Sequence, residues 1–278
     1  MRKLLNTLYV TSPDSYLSLD GENIVILSNN EKIGRFPLHN IEGIVSFTYS
    51  GASPSLMGYC AKNNISMCFM TPNGRFLARV IGKSNGNVIL RKEQYARSAD
   101  INMSTEIAKN FVLAKIYNSK WVLERATRDY QYRVDTDKLK VASTQLSEYM
   151  ILAKEAKNLE ELRGYEGKAA VIYFSCLDDL ILNQKEAFYF KERNKRPPLD
   201  NFNCVLSFIY SVLSNEIASS LESVGLDSYV GFLHRDRSGR ISLALDMVEE
   251  LRSIVADRFV ISSIVGASLV AFYTVPAD

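Results

Sequence analysis

The stretch TEIAKNFVLAKIYNSKWVL, residues 105–123, decides the fold class of this chain. Its side chains at three- and four-residue intervals form one series: Ala108, Phe111, Val112, Lys115, Ile116, Ser119, and Val122 or Leu123. This spacing places them on a single face of an α-helix. We therefore predict a long amphipathic helix over residues 105–133, with Ser104 or Thr105 as its N-cap.

Helical periodicity continues towards the C-terminus. Apolar residues at helical spacing predict four further helices, over residues 139–157, 165–183, 202–221 and 243–259. Asn201 or Asp200 is expected to cap the helix at 202–221, since both residue types are favoured at that position. The second part of the chain is therefore predicted to be mainly α-helical.

The first 90 residues have a different pattern. Short runs rich in β-branched and aromatic residues predict strands near residues 6–10, 16–27, 33–36, 41–47, 66–70 and 75–82. Asp20-Gly21-Glu22-Asn23 interrupts the second run and indicates a hairpin turn. Residues 53–62 have helical spacing and predict a short helix.

These patterns predict an α+β protein in two parts. A β-strand-rich domain occupies residues 1–90 and a helical domain occupies residues 105–278, of which 261–278 form an atypical tail. We place the linker at residues 91–104, which are charged and weakly periodic. Strands that precede helices argue against a doubly wound sheet, in which the two would alternate.

Composition limits the classes of function. The chain has 278 residues, 47% of them hydrophobic and 23% charged, as in a folded protein with a substantial core. A net charge of only +2 means that any nucleic-acid-binding surface must be local. Four cysteines without a close pair predict small buried residues in a reducing cytoplasm rather than disulfides or a zinc site: Cys60, Cys68, Cys176 and Cys204.

The two ends of the chain bear on localisation. No sustained apolar run follows the first six residues, so we expect no secretory signal. Residues 259–275 carry no charge, but serine and glycine dilute them, and their length is at the lower edge of the roughly 17–25 residues that a membrane span needs. We favour a buried or partly disordered tail, and a membrane tether stays open as a further hypothesis.

Three distant segments carry candidate metal ligands. Glu166 lies in RGYEGKAA (163–170), His234 in GFLHRD (231–236), and Asp246 with Glu249 in LALDMVEELR (243–252). Carboxylates and an imidazole suit Mg²⁺ or Mn²⁺ and leave coordination positions open for phosphate and water. Ordinary explanations exist for each: a macrodipole-complementing acid, a structural histidine, and a solvated acidic face with three-residue spacing.

The segment 185–200 carries the strongest local signal for nucleic acid. Basic residues alternate there with Phe188, Tyr189 and Phe190, and Pro197-Pro198 stiffens its end. Basic groups bind phosphates and aromatic rings stack on unpaired bases. A charged surface loop between helices is the competing interpretation. The chain contains no nucleophile-elbow, phosphate-loop or dinucleotide-binding motif, so hydrolysis by a Ser/His/Asp triad lacks support.

In their order and spacing, these segments resemble the family of CRISPR-associated protein one, the spacer integrase of CRISPR adaptation. The resemblance rests on RGYEG (163–167) with Ala169-Ala170, RNKRPPLDNFN (193–203) leading into LSFIY (206–210), and GFLH (231–234) followed by SLALDMVE (242–249). The opening LNTLYV (5–10) is similar to the branch found with type I-C systems. The likeness covers about residues 1–260, and after about Ile261 the chain no longer resembles the family.

The resemblance implies a dimerising β domain and an α-helical catalytic domain. It implies Mg²⁺ or Mn²⁺ ligands at Glu166, His234 and Glu249, with Asp246 supporting the site; some relatives have aspartate where this chain has Glu249. It further implies metal-assisted transesterification, in which the 3′-hydroxyl of a short DNA fragment attacks a repeat-DNA phosphodiester, and water in its place gives nuclease activity.

The implied partners are double-stranded DNA, a second copy of the chain and the small CRISPR-associated protein two, with no membrane. Candidate phosphate contacts are Lys191, Arg193, Lys195, Arg196, Arg235, Arg237 and Arg240. Because the resemblance ends early and relatives continue further, a DNA-binding scaffold without turnover stays open as the alternative.

Overall fold

The computed structural model describes residues 7–12, 14–82, 87–195 and 197–266. The chain divides into two compact units. Residues 1–91 and 215–226 form the first, which we call the β unit, and residues 92–214 and 227–278 form the second, the helical unit. The predicted 1–90 domain did not include residues 215–226, which return to the β unit from far along the chain.

The β unit contains two sheets. Seven strands are described: β1 (Thr7–Val10), β2 (Tyr16–Asp20), β3 (Asn23–Ser28), β4 (Glu31–Pro37), β5 (Gly43–Ser46), β6 (Ser66–Met70) and β7 (Phe76–Val80). One sheet has the order β1-β5-β6-β7, with β1, β5 and β6 parallel and β7 antiparallel to β6. The other is the antiparallel meander β2-β3-β4. Helix α1 (Pro54–Lys62) connects β5 to β6 and supplies the crossover that a parallel pair requires.

Tight turns fix the register of the meander. Asp20 pairs with Asn23 across the predicted hairpin turn, and Gly21 has a φ of +63°, a conformation that glycine adopts without strain. Asn29 and Asn30 form the next turn, both with positive φ. The predicted hairpin is therefore present, and the asparagine pair makes a second one.

A continuous apolar core fills the β unit. Its fully buried side chains include Leu17, Ile24, Ile44, Leu56 and Met67. Four of these residues come from four different strands, and Leu56 comes from α1. The four cysteines were predicted to be buried and free of disulfides. All four are free, and Cys60, Cys68 and Cys176 are buried, but Cys204 is exposed, contrary to expectation.

The helical unit is built around one long helix. Its helices are α2 (Val88–Ala99), α3 (Ile101–Asp129), α4 (Thr136–Glu155), α5 (Leu159–Ser175), α6 (Asn201–Ser223), α7 (Ser242–Leu251) and α8 (Arg258–Val265), of which α2 and α6 also contribute residues to the β unit. α4, α5 and α7 pack against α3 or its neighbours, and their apolar faces form a second core. A π-helical turn, Arg252–Asp257, joins α7 to α8.

Two predicted boundaries are wrong, and both errors have a local cause. Residues 91–104 are not an irregular linker: α2 occupies most of them, and α3 begins at Ile101 because the Asp100 carboxylate caps it through the backbone N–H of Asn102 and of Met103. Charged residues on an exposed helical face hid this periodicity. α5 begins at Leu159, capped by Asn158, so Glu166 lies in the middle of a helix and not in the first turn.

α6 is long and apolar enough to cross a membrane by length and composition alone. That test is also passed by core helices of proteins that never enter a membrane, and α6 buries Phe202 and Leu206 in the core of the helical unit. The uncharged tail lies largely outside the described residues, from 267 onwards. The predicted α+β class, with strands first and helices after, is confirmed.

Candidate functional site

Asp246 organises the segment that carries His234. Its carboxylate is fully buried and accepts hydrogen bonds from the backbone N–H of Phe232 (2.6 Å), Leu233 (2.9 Å) and His234 (3.0 Å). Such a row of backbone donors around one anion is a strong, charge-assisted arrangement. α7 therefore fixes the conformation of residues 232–234 through a single side chain.

The same carboxylate orients the imidazole. His234 Nδ1 lies 2.6 Å from Asp246 Oδ1, and because an ionised carboxylate can only accept, Nδ1 must carry the proton. In the neutral ring the lone pair is then on Nε2. A carboxylate that fixes the tautomer of a histidine in this way is the usual support of a metal-binding imidazole.

Gly231 is required by close packing. A Cβ at this position would lie 2.7 Å from Asp246 Oδ2 and 2.8 Å from the carbonyl carbon of Ser242, closer than real contacts allow. The segment can approach α7 closely enough to bond with Asp246 only because this residue has no side chain. Gly231 thus helps to hold residues 232–234 against α7, as the Asp246 carboxylate does.

α5 holds the segment from the other side. Arg163 donates to the Leu233 carbonyl through Nε at 2.8 Å and again through Nη2. Glu160, which lies one turn before Arg163 on α5, forms an ion pair with it. Glu160 also pairs with Arg235, whose Nη2 lies 2.9 and 3.0 Å from the two carboxylate oxygens of Glu160. The Arg235 hydrogen bond is the main reason that the pKa of Glu160 is lowered, although burial opposes it.

Glu166 and Glu249 meet at one ammonium group. Lys115, on α3, contacts Glu166 and lies 2.6 Å from Glu249 Oε2. We call the two glutamates, together with the lysine that joins them, the lysine-bridged pair. Lys115 is 6% exposed, as is Glu249, whereas the Glu166 side chain is 23% exposed. Two acidic side chains from different helices therefore converge on one position that is open to solvent on the Glu166 side.

Positive charge around Glu249 keeps it ionised. Burial raises its pKa, but the charges of Lys115 and Arg252 more than offset this and lower it to about 2, with a smaller contribution from His234. Arg252 Nη2 also pairs with Glu249 Oε1 at 2.8 Å, while Oε2 accepts no hydrogen bond of good geometry despite its contact with Lys115.

Two arginines pack against one buried aromatic ring, that of Tyr210. The guanidinium groups of Arg252 and Arg193 lie 4.9 and 5.2 Å from the centroid of the Tyr210 ring, as cation–π pairs do. The Tyr210 hydroxyl donates to Asp257, which is fully buried on the π-helical turn. Burial raises the pKa of the Asp257 carboxyl to about 6, against the hydrogen bond from Tyr210 and the charge of Arg252.

The candidate phosphate contacts fall into three groups. Arg193 faces inward, bonding Asn203 Oδ1 (2.7 Å) and Ser207 Oγ (3.0 Å), so its role in the fold is structural. Lys195 is exposed, and burial of its amine together with the charges of Arg252 and Arg193 lowers its pKa. The other described candidates lie on the surface or at its edge: Lys191, Arg235, Arg237 and Arg240; Arg196 lies outside the described residues.

Of the three predicted ligands, Glu166 and Glu249 meet at Lys115, and His234 is oriented by Asp246. Within the described ranges, no three His, Cys, Asp or Glu side chains are arranged closely enough to hold an ion as they stand. The donor set still fits a divalent cation: two carboxylates share one position, a buried oxygen of Glu249 lacks a good hydrogen bond, and His234 has its Nε2 lone pair available.

Sequence reasoning missed four participants: Lys115, Tyr210, Arg252 and Asp257. A signal for the first was present, since Lys115 falls on the buried stripe of α3, and a lysine there requires an acidic partner. Arg252 and Asp257 lie on the π-helical turn, which leaves no trace in the apolar periodicity, and Tyr210 takes part through its hydrogen bond to Asp257.

The sequence of the chain is similar to that of a known protein family. The family model described as "CRISPR associated protein Cas1" matches residues 8–271. The match extends beyond Ile261, where we expected the resemblance to end. A protein of Chlorobaculum tepidum named CRISPR-associated endonuclease Cas1 1 is 45% identical over 264 residues, which cover 95% of this chain and 77% of that protein.

Two solved structures share the fold. A casposase bound to integration product is 26% identical, with a TM-score of 0.79 over 96% of this chain and 75% of that one. A Cas6-RT-Cas1–Cas2 complex contains a chain that is 20% identical, with a TM-score of 0.75 over 97% of this chain and 29% of that one. With a family model that matches nearly the whole chain and a relative at this level of identity, the protein belongs to the CRISPR-associated Cas1 family.

Proposed function

We propose that this protein is a metal-dependent DNA integrase with endonuclease activity, which joins the 3′-hydroxyl ends of short DNA fragments to repeat DNA. The observation that carries the proposal is the convergence of Glu166 and Glu249 on one position, together with an imidazole that Asp246 orients on a segment bonded to Arg163 of the Glu166 helix. The casposase of the same fold is bound to an integration product, and the relative at 45% identity is named an endonuclease. These names support chemistry on DNA phosphodiesters for this chain.

We assign the ligands of one Mg²⁺ or Mn²⁺ ion to Glu166, Glu249 and His234. A bound divalent cation supplies Lewis-acid polarisation of a phosphate oxygen and stabilises the charge that grows there. Asp246 keeps the His234 ring in the tautomer that presents Nε2. Gly231 and Arg163 hold the backbone of that segment against α7 and α5.

The proposed reaction balances without a further reactant. The 3′-oxygen of the fragment forms a bond to phosphorus, the bond from phosphorus to the leaving 3′-oxygen of the repeat strand breaks, and the proton of the attacking hydroxyl passes to solvent while the leaving oxygen takes one up. We assign contacts with the DNA backbone to the exposed basic groups of Lys195, Arg235 and Arg237. Water in place of the fragment hydroxyl gives hydrolysis.

Strand transfer tests the proposal directly. A fluorescent fragment and a supercoiled plasmid carrying the repeat are incubated with Mn²⁺ or Mg²⁺, and joined product is measured on a gel. Glu166→Gln and His234→Ala should reduce joining by about a thousandfold, because each removes a proposed ligand. Glu148→Gln on α4 and Asp236→Asn beside His234 are exposed matched controls and should retain wild-type rates. Wild-type joining by Glu166→Gln would refute the assignment.

The alternative of a scaffold without turnover is not favoured, since the relative at 45% identity is named an endonuclease and Glu166 and Glu249 share one partner. For partners, we propose double-stranded DNA, the small CRISPR-associated Cas2 protein and a second copy of this chain. The Cas6-RT-Cas1–Cas2 complex, which contains a chain of this fold, supports the second of these, and light scattering after gel filtration tests the third. A cytoplasmic location and the type I-C-like branch are likewise proposals, the latter resting on the opening LNTLYV.

A further inference from the structure

The lysine-bridged pair contains a charge that a metal site would not be expected to include. Lys115 lies on the buried face of α3, where it is 6% exposed. A lysine in such a place persists only when acidic partners compensate its charge. Its partners come from two other helices, Glu166 on α5 and Glu249 on α7. Lys115 therefore joins three helices through one ammonium group.

The same two carboxylates are the proposed ligands of the divalent ion. An ion that ligated both would lie about 2–2.5 Å from their oxygens, where the Lys115 ammonium now contacts Glu166 and lies 2.6 Å from Glu249. A divalent cation and an ammonium group at this separation repel each other strongly, and little water is present to screen them. They are mutually exclusive partners of one carboxylate pair.

The neighbouring charges decide which cation leaves when a divalent ion binds. Arg252 pairs with the other oxygen of Glu249 at 2.8 Å and remains there whichever cation is bound. The two glutamates carry two negative charges, which Lys115 and Arg252 together balance. Adding a divalent ion while both remain would leave excess positive charge in a buried site, so Lys115 is the group that must leave, towards the exposed edge at Glu166.

We propose that Lys115 is an exchangeable internal counter-ion, which holds Glu166 and Glu249 together in the metal-free chain and is displaced when a divalent cation binds. The inference rests on the proposed function, because it takes its metal ligands from there. It assigns Lys115 a positioning role: the lysine keeps two acidic side chains close that would otherwise separate, and in return it weakens the affinity for the ion.

Binding of Mn²⁺ without DNA tests the inference. Free Mn²⁺ is counted by electron paramagnetic resonance during titration of the wild type, Lys115→Met and the control Lys109→Met, whose lysine lies on the same helix and pairs with the exposed Glu106. Lys115→Met removes the competing charge at similar side-chain length, so its Kd for Mn²⁺ should fall by about tenfold or more, while Lys109→Met should match the wild type.

The outcomes separate the two proposals. Wild-type binding with an equal or weaker affinity in Lys115→Met overturns the counter-ion role and leaves the metal site standing. No binding by either protein at millimolar Mn²⁺ overturns the metal site itself. Binding by Lys115→Met alone supports the counter-ion role in its strongest form.

A measurement on the unaltered protein keeps the test independent of whether the variant folds. Lysines of the wild type are acetylated briefly with and without Mn²⁺, and modification is quantified by peptide mass spectrometry. Displacement frees the Lys115 amine, so its labelling should rise about threefold or more with Mn²⁺, as expected when a buried ion pair opens, while labelling of Lys109 stays constant. Unchanged labelling of Lys115 in protein that binds Mn²⁺ would overturn the inference.

Discussion

Replacing Asp246 by alanine should destabilise the helical unit severely. Three backbone N–H groups, those of residues 232, 233 and 234, would lose their common acceptor. An unsatisfied buried donor costs about 1–3 kcal/mol. Two of the three residues are only partly buried, so water compensates in part, and the sum is about 3–5 kcal/mol. That is a large part of the roughly 5–15 kcal/mol that stabilises a typical protein.

Thermal unfolding followed by circular dichroism in metal-free buffer measures this effect. At about 2–4 °C per kcal/mol for large domains, Tm should fall by about 6–20 °C. Asp246→Asn keeps one acceptor oxygen and the volume of the side chain, so it should fall between the alanine variant and the wild type. Asp236→Ala, an exposed aspartate two residues after His234, is the control and should leave Tm unchanged.

The imidazole provides a second, independent readout. The chain has only two histidines, His39 and His234, so a nitrogen-15 spectrum of labelled histidine resolves both. In the wild type His234 should carry its proton on Nδ1, and in Asp246→Ala the ring should move towards the Nε2-protonated form that free imidazole prefers. A Tm within about 2 °C of the wild type, less than 1 kcal/mol on this scale, would refute the reasoning if the tautomer were also unchanged.

Three further changes follow from the same contacts. Gly231→Ala should destabilise the protein by about 1–3 kcal/mol, because its Cβ would overlap Asp246 and the backbone of Ser242; Gly164→Ala, in open space on α5, should instead be neutral or stabilising, and equal Tm values for the two would contradict this. Arg163→Ala should lose about 1–2 kcal/mol through the unpaired Leu233 carbonyl, whereas the exposed Arg128→Ala should lose almost nothing in the same unfolding assay. The pKa of Asp257 is about 6 in the folded chain against 3.8 ordinarily, so the native state holds this proton more tightly than the unfolded state does. The free energy of unfolding should therefore fall by about 3 kcal/mol as the pH rises from about 4 to about 6. Asp257→Asn should flatten this decline in Tm between pH 4 and 7, and a wild-type profile that matched the variant would show that the carboxyl is not responsible.

Sequence patterns predicted the elements well where periodicity was strong. The α3 stripe and the hairpin at Asp20–Asn23 are present, and the segments around Glu166, His234 and Asp246 do converge. Each of these depends on local spacing or on the order of motifs, both of which can be read along the chain.

What sequence reasoning could not supply was the pairing of charges across helices. Nothing in the sequence around Lys115 shows that it meets Glu166 and Glu249, because both glutamates are more than fifty positions away from it along the chain. Their contact depends on how the helices pack. Arg193 was expected to bind phosphate but faces Asn203 and Tyr210, because a basic side chain gives no sign of which way its loop folds. The turn at Arg252–Asp257 is π-helical, a departure of one residue per turn that apolar spacing does not reveal.

The return of residues 215–226 to the β unit makes it a discontinuous domain, with a practical consequence for dissecting the molecule. Arg79 on β7, whose side chain is only 9% exposed, pairs with Glu222, and Arg91 donates to the Gly225 carbonyl at 3.2 Å. A fragment that stopped at residue 91 would leave Arg79 as a buried charge without its counterpart, a defect of about 3–5 kcal/mol. Expression of the strand-rich part alone therefore requires a graft of the later segment, and a simple cut after the last strand should give insoluble material.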